Sequence, residues 1–145
     1  MTLLLRNATS ADMRAIRSLL ECDGLPTSDL ASSDARFTVA CEGSLIVGAG
    51  ALECFDDVAL LRSVAVNPAR RSKGLGRQIV RALELRARAA GITRLVLLTQ
   101  TARPFFEHQD YHLIDRAQAP QAVQASEEFR SLCPASCECM MKILR

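Results

Sequence analysis

Apolar and polar positions recur along this chain at two periods, and the period separates strands from helices. Leu3-Leu4-Leu5-Arg6 predicts a short strand. From Met13 onward, Ile16, Leu19 and Leu20 return at the spacing of one helical face, with Ser10 placed to cap the start and Gly24 and Pro26 to end the run. The polar segment Ser28 to Asp34 leaves room for one short helix. Arg36 to Glu42, Leu45 to Cys54 and Val58 to Val66 read as three strands. Gly43-Ser44 and Asp56-Asp57 supply the turns between them, so neighbours run antiparallel. Arg77 to Ala90 has a helical stripe of Ile79, Val80, Leu83, Ala87 and Ala90, with Gly91 as its stop. Arg81, Glu84 and Arg88 are expected outward, Glu84 four residues ahead of Arg88. Arg94 to Thr99 contains Leu-Val-Leu-Leu, apolar on both faces and so a central strand. It follows Val58 to Val66 through a helix, which implies that the two strands are parallel. Ala102 to His108 reads as a short helix, Tyr111 to Asp115 as a strand, Pro120 to Leu132 as a helix, and Cys137 to Leu144 as a further strand. The pattern predicts a single α/β domain over residues 1–145 with a mixed sheet.

Composition narrows the classes of function. The chain is 49% hydrophobic and 23% charged, with a net charge of +2, so nothing global points to nucleic acid or membrane. One Tyr, five Phe and no Trp leave few rings for base stacking. No apolar run approaches the roughly 18 residues of a membrane helix, and Arg6 interrupts the leucines of the N-terminus far short of an export signal. A cytoplasmic protein with six free thiols is expected, Cys22, Cys41 and Cys54 serving as small core residues. Charge is local instead: eight arginines and lysines fall between Arg70 and Arg94, a patch suited to a small polyanion.

The centre of that patch is Arg71-Ser72-Lys73-Gly74-Leu75-Gly76, lying between an apolar strand and a helix. A helix start offers backbone N–H groups with no intrahelical partner and the positive end of the helix dipole. Gly74 and Gly76 admit a phosphate close to the backbone, and Arg70, Arg71, Lys73 and Arg77 surround the turn. This is a cradle for a pyrophosphate and hence for a nucleotide-derived cofactor. The segment lacks the G-x-x-x-x-G-K-[ST] of a P-loop and the full G-x-G-x-x-G of a dinucleotide site.

The hexapeptide resembles the [QR]-x-x-G-x-[GA] signature of the GNAT superfamily of acyl-CoA-dependent N-acetyltransferases. The order of elements is similar throughout, apart from the helix at Pro120 to Leu132. Ala102 to Tyr111 looks like that family's A-x-x-F-Y-x-x-x-G-[FY] segment. Gln121 to Ser136, with Leu60-Leu61-Arg62-Ser63, resembles a branch associated with arsenic-resistance operons. The resemblance implies a GNAT-like central mixed sheet, mostly antiparallel, with a splayed parallel pair at its centre and helices on its flanks. It also implies acetyl-CoA as co-substrate and a small primary amine as acceptor, an amino acid or amino-acid-like toxin among the candidates. Backbone groups of Val64 and Val66 would pair with the pantetheine arm. The segment Arg71, Ser72, Lys73, Gly74, Leu75, Gly76 and Arg77 would hold the pyrophosphate, with Phe105 against the cofactor. Assembly as a homodimer stays open.

Amine acetylation needs a polarised thioester, a neutral amine in line with it, and a proton for the departing thiolate. Glu53, a lone carboxylate in an apolar strand beside the cofactor strand, is the candidate base; the alternative is a solvated residue at a hairpin end. In some members the base falls near Leu60, which carries no such group here. Arg62 shares a strand face with Leu60 and Val64 and wants an anion: either a substrate carboxylate or a salt bridge to Glu53 or Asp57. Phe106 occupies the place of the usual tyrosine, so Ser63, Thr99, Tyr111 or water would have to protonate the thiolate; Thr99 is also a substrate-contact candidate. His108 reads as solvated and His112 as structural. Cys133, Cys137 and Cys139 admit a second class of reading, a soft thiolate site for a metalloid on an inactive or CoA-sensing scaffold. Alternation along a strand, as core thiols, accounts for Cys137 and Cys139 without any metal.

Overall fold

The structure, a computed structural model, describes residues 3–30, 34–71, 73–132, 134 and 136–144. Ser72 and Cys133, both singled out above, lie outside the described residues. The elements are β1 (Leu3–Asn7), α1 (Met13–Cys22), β2 (Arg36–Glu42), β3 (Leu45–Phe55), β4 (Val58–Val66), α2 (Leu75–Ala89), β5 (Arg94–Thr99), α3 (Arg103–His108), β6 (His112–Ile114), α4 (Gln121–Gln124) and β7 (Glu138–Ile143). Seven strands form one sheet in the order β1-β2-β3-β4-β5-β7-β6. Every pairing is antiparallel except β4 with β5, which is parallel as a helical crossover requires.

Both faces of the sheet are covered, which is why its central strands carry no clean alternation. One face packs on α2 and α3 through Leu61, Ile79, Leu83, Leu95, Leu97 and Phe106. The other carries two separate apolar clusters. Ile16 and Leu20 of α1 meet Val39, Ala49 and Ala51, while Val123 and Phe129 meet Val58, Leu60 and Val96. α2 lies unusually close to β3. A Cβ at Gly48 would stand 2.7 Å from the Ile79 side chain, and one at Gly50 would stand 2.8 Å from that of Leu83.

Several expectations are corrected. Thr9, not Ser10, opens the first helical segment, a short 3-10 turn leading into α1; its N–H donates to Asp12 Oδ2 at 2.7 Å, and the Arg6 guanidinium grips the same carboxylate. Glu84 is buried rather than outward. It accepts from Tyr111 Oη at 2.8 Å and from Lys142 Nζ at 3.1 Å, so Arg88 is not its partner. Cys22 and Cys54 are exposed; only Cys41 of the three is a core residue. The helix expected over Pro120 to Leu132 breaks in two. α4 ends at Gln124, and a wider π turn covers Glu128–Leu132. Buried Ser126 sits at the break, where its Oγ accepts the Phe129 N–H at 3.4 Å and its carbonyl accepts that of Arg130. The break turns Phe129 into the apolar cluster and Glu128 toward the sheet.

Candidate functional site

β4 and β5 pair only over Val58–Leu60 and Arg94–Val96. Beyond that point they part. The cause lies partly in β4, where register against β3 passes from Ala49–Ala65 to Ala51–Arg62, so that β4 carries one residue more than its partner. Ser63 sits at this bulge with φ of +59°, a conformation that a non-glycine residue adopts at a cost. The opening is a cleft with Leu61, Arg62, Ser63 and Val64 on one wall and Leu97, Leu98 and Thr99 on the other. Gly24, Leu25 and Pro26 after α1 close one side, and Glu128, Leu132, Pro134 and Cys137 close another.

A second cavity adjoins the first, sharing Asp23, Val64, Ala102 and Phe106 with it. It is lined by Val66, Arg70, Arg71, Gly74, Leu75, Gly76, Arg77 and Phe105. Gly74 takes φ of +75° as the N-cap of α2, and no side chain caps that helix start. The first N–H groups of α2 are therefore open to an anion. At Gly76 a Cβ would lie 3.3 Å from the Phe105 ring, so that ring and the loop backbone pack directly. Arg71 pairs with Asp23 across the mouth, and Arg70 with Glu42. Lys73 is exposed but does not line the cavity.

At the base of the first cleft Arg62 is buried among carboxylates. Its Nη1 and Nη2 donate to the two oxygens of Asp29 at 2.6 and 2.8 Å; Nη1 also reaches Glu53 Oε1 at 3.3 Å. Nε donates to Ser63 Oγ at 3.2 Å and lies 3.6 Å from Glu128 Oε1. Burial alone would lower the pKa of Arg62, but Asp29, Glu128 and Glu53 together hold it above its ordinary value. The same burial pushes the Glu128 carboxyl up to about 7, Arg62 opposing and Asp29 and Glu53 adding to the rise. Arg62 therefore lies in the seam between the two apolar clusters of that sheet face, with its donors turned to protein carboxylates.

The expected site residues fall into three groups. Val64, Val66, Arg71, Gly74, Leu75, Gly76, Arg77 and Phe105 converge on the second cavity. Arg62, Ser63 and Thr99 converge on the first, where Thr99 Oγ1 accepts the Ala102 N–H at 2.9 Å. Glu53 contacts Arg62 but does not line the cleft. Of the acid candidates, Tyr111 is fully buried with its hydroxyl donated to Glu84, and Phe106 lines the cleft. Asp29 and Glu128 were not anticipated. Their bonds to Arg62 are long-range, and the only available signal was that a cation in an apolar strand requires more anions than its hairpin supplies.

Comparison with known proteins matches residues 33–113 to the family described as an acetyltransferase (GNAT) domain. The amino-acid acetyltransferase of Aeromonas salmonicida is 31% identical over 124 residues, covering 79% of this chain and 28% of that protein. The chain thus spans under a third of the length of that relative. Among solved structures, Rv2747 from Mycobacterium tuberculosis, in complex with CoA and NLQ, superposes with a TM-score of 0.83 at 26% identity, covering 98% of this chain and 99% of that one. N-acetylglutamate synthase from Neisseria gonorrhoeae, complexed with coenzyme A and N-acetyl-glutamate, gives a TM-score of 0.85 at 20% identity, covering all of this chain and 36% of that one. The latter is a likeness of fold.

Proposed function

The chain belongs to the GNAT acetyltransferase family, and on that premise we propose that it transfers the acetyl group of acetyl-CoA to a small primary amine of the amino-acid class. The observation that carries this reading is the parting of β4 from β5 above a bulge at Ser63, with the uncapped start of α2 beside it. Relatives that act on amino acids or hold CoA support it.

The residues present suit that co-substrate. Open N–H groups of α2, flanked by Arg71 and Arg77, would bind the pyrophosphate, and Asp23 would release Arg71 as phosphate arrives. Val64 and Val66 sit where the widened strand gap leaves their backbone groups to pair with an extended arm, and a backbone N–H there would polarise the thioester carbonyl. Phe105 closes the loop side of that passage, and Leu75 anchors it from the core. Ser63 and Thr99 supply hydroxyls inside the cleft for the acceptor and for the thiolate that leaves. Glu53 belongs to the acid cluster that fixes Arg62 and so shapes the acceptor end.

The resemblance of Gln121 to Ser136 to the arsenic-operon branch supports a small amine as acceptor, an amino acid or amino-acid-like toxin among the candidates. The rival, a thiol-based metalloid site, has less support. Burial pushes the Cys139 thiol up to about 11, away from the thiolate such a site needs. A panel of amines incubated with acetyl-CoA, scored by CoA thiol release with the chain's own cysteines subtracted, tests the proposal. Release that depends on an amine is expected. Tight stoichiometric arsenite binding without any amine-dependent release would sink it.

A further inference from the structure

Glu128 is a buried carboxylate for which acetyl transfer, as set out above, has no use. It stands on the π turn, 4% exposed, and lines the same cleft as Ser63 and Thr99. Its Oε1 lies 3.6 Å from Arg62 Nε. Its Oε2 has no hydrogen-bond partner among the described residues. A carboxylate oxygen withdrawn from water and left unpaired is costly, so the geometry lacks a donor at that point.

The surrounding charge says what kind of donor fits. Arg62 and Glu53 face Glu128 from the sheet, Asp29 from the turn between α1 and β2, and Arg116 acts on it from the turn before α4. Arg116 donates to the Pro134 carbonyl at 2.7 Å through Nη2 and lies over the Phe129 ring, while its buried Nε has no hydrogen-bond partner among the described residues. With Glu128 ionised, two guanidinium groups face three carboxylates, and an incoming cation is favoured over an incoming anion.

We propose that Glu128 Oε2 receives the ammonium group of the acceptor and takes its proton. The acceptor is then a primary amine without a second acidic group, because a side-chain carboxylate would add to the existing excess. The proton moves from the ammonium nitrogen to Oε2. The freed lone pair forms the C–N bond to the acetyl carbon, the C–S bond breaks, the second proton of the nitrogen passes to the CoA thiolate, and the proton on Glu128 leaves to water. A carboxyl that titrates near neutrality suits both transfers. Glu53 lacks this access, since it does not line the cleft. The transfer step rests on the function proposed above; the ammonium site does not.

Two readouts keep the two ideas apart. In the first, ¹³C-carboxyl-labelled glutamate is followed by NMR titration in the full chain with CoA bound. One carboxyl should titrate near pH 7, vanish in Glu128→Gln, persist in Glu53→Gln, and shift on addition of methylammonium but not tetramethylammonium. In the second, Glu128→Gln should bind acetyl-CoA normally while kcat/KM for the amine falls about 100-fold or more and loses its limb near pH 7. L-Glutamine should outcompete L-glutamate as acceptor in the wild type. A Glu128 resonance indifferent to methylammonium, or an unchanged pH profile in Glu128→Gln, overturns the proposal. A methylammonium shift without turnover of any amine would keep the ammonium site and remove the acetyl-transfer reading.

Discussion

Arg62 shows how one residue ties stability to the site. Its charge is out of water and is matched by Asp29, Glu53 and Glu128. Removing one member of a buried charge cluster strands the rest, so Arg62→Met should lower unfolding free energy by about 3–5 kcal/mol in urea titration. Glu128 gives the opposite sign. Its folded pKa of about 7 lies above the ordinary 4.5 for glutamate, so the folded state binds the extra proton between these values. Stability from this group is therefore full below about pH 4.5 and declines as pH rises through 7. Glu128→Gln should match the wild type in stability near pH 4 and exceed it at pH 8, by up to about 3 kcal/mol from the conversion of the shift. Urea midpoints at the two pH values check this; equal differences at both would show that Glu128 does not titrate as described. The carboxylates around Arg62 were only partly readable in advance. Glu53 lies across a hairpin, a local relation that strand alternation exposes. Asp29 is 33 residues away in chain order and belongs to a polar stretch with no period, so nothing local announces it.

At the scale of elements, α2 joins the core to the cofactor loop. Its buried stripe was legible because Ile79, Val80, Leu83 and Ala87 repeat at helical spacing, and the structure buries all four; Ala90, expected on the same stripe, is exposed as the C-cap. What periodicity does not carry is distance. Gly48 and Gly50 let α2 settle onto β3, and the start of the same helix presents its N–H groups to the second cavity. Gly50→Val should destabilise by roughly 1–3 kcal/mol, the usual result of overpacking. It should also weaken acetyl-CoA binding, because displacing α2 displaces the loop; calorimetry alongside urea titration separates the two effects. Gly76→Glu should abolish acetyl-CoA binding with a far smaller change in midpoint, since its side chain would enter the cavity beside Phe105 rather than the core. The broken segment after Pro120 failed to read as such because Val123 and Phe129 do both face the core, as one helix would have placed them. Ser126 breaks it through backbone bonding, which a hydrophobic pattern does not register.

For the whole molecule, the order of strands in the sheet differs from their order in the chain at one place only: β7 lies between β5 and β6. Until then each strand pairs with the one before it, directly or through a crossover, and such neighbour relations are what sequence reading recovers best. Ligand should stabilise the assembled sheet through its cleft; acetyl-CoA at 100 times its Kd should add about 2.7 kcal/mol, seen as a rise in Tm. The position of β7 also has a consequence for biosynthesis. While the chain leaves the ribosome, β1 to β4 can close on one another as they appear, but the far edge of β5 has no neighbour until residues 138–143 have been made. That edge carries Leu95, Val96 and Leu97, all buried in the finished protein, and β6 has no other strand to join among the described residues. The nascent protein thus exposes an adhesive strand from the completion of β5 at Thr99 until β7 has been made. A chain stopped at Ser136 should sediment as aggregate, and one supplied with a peptide of residues 137–144 should be recovered in part as folded complex.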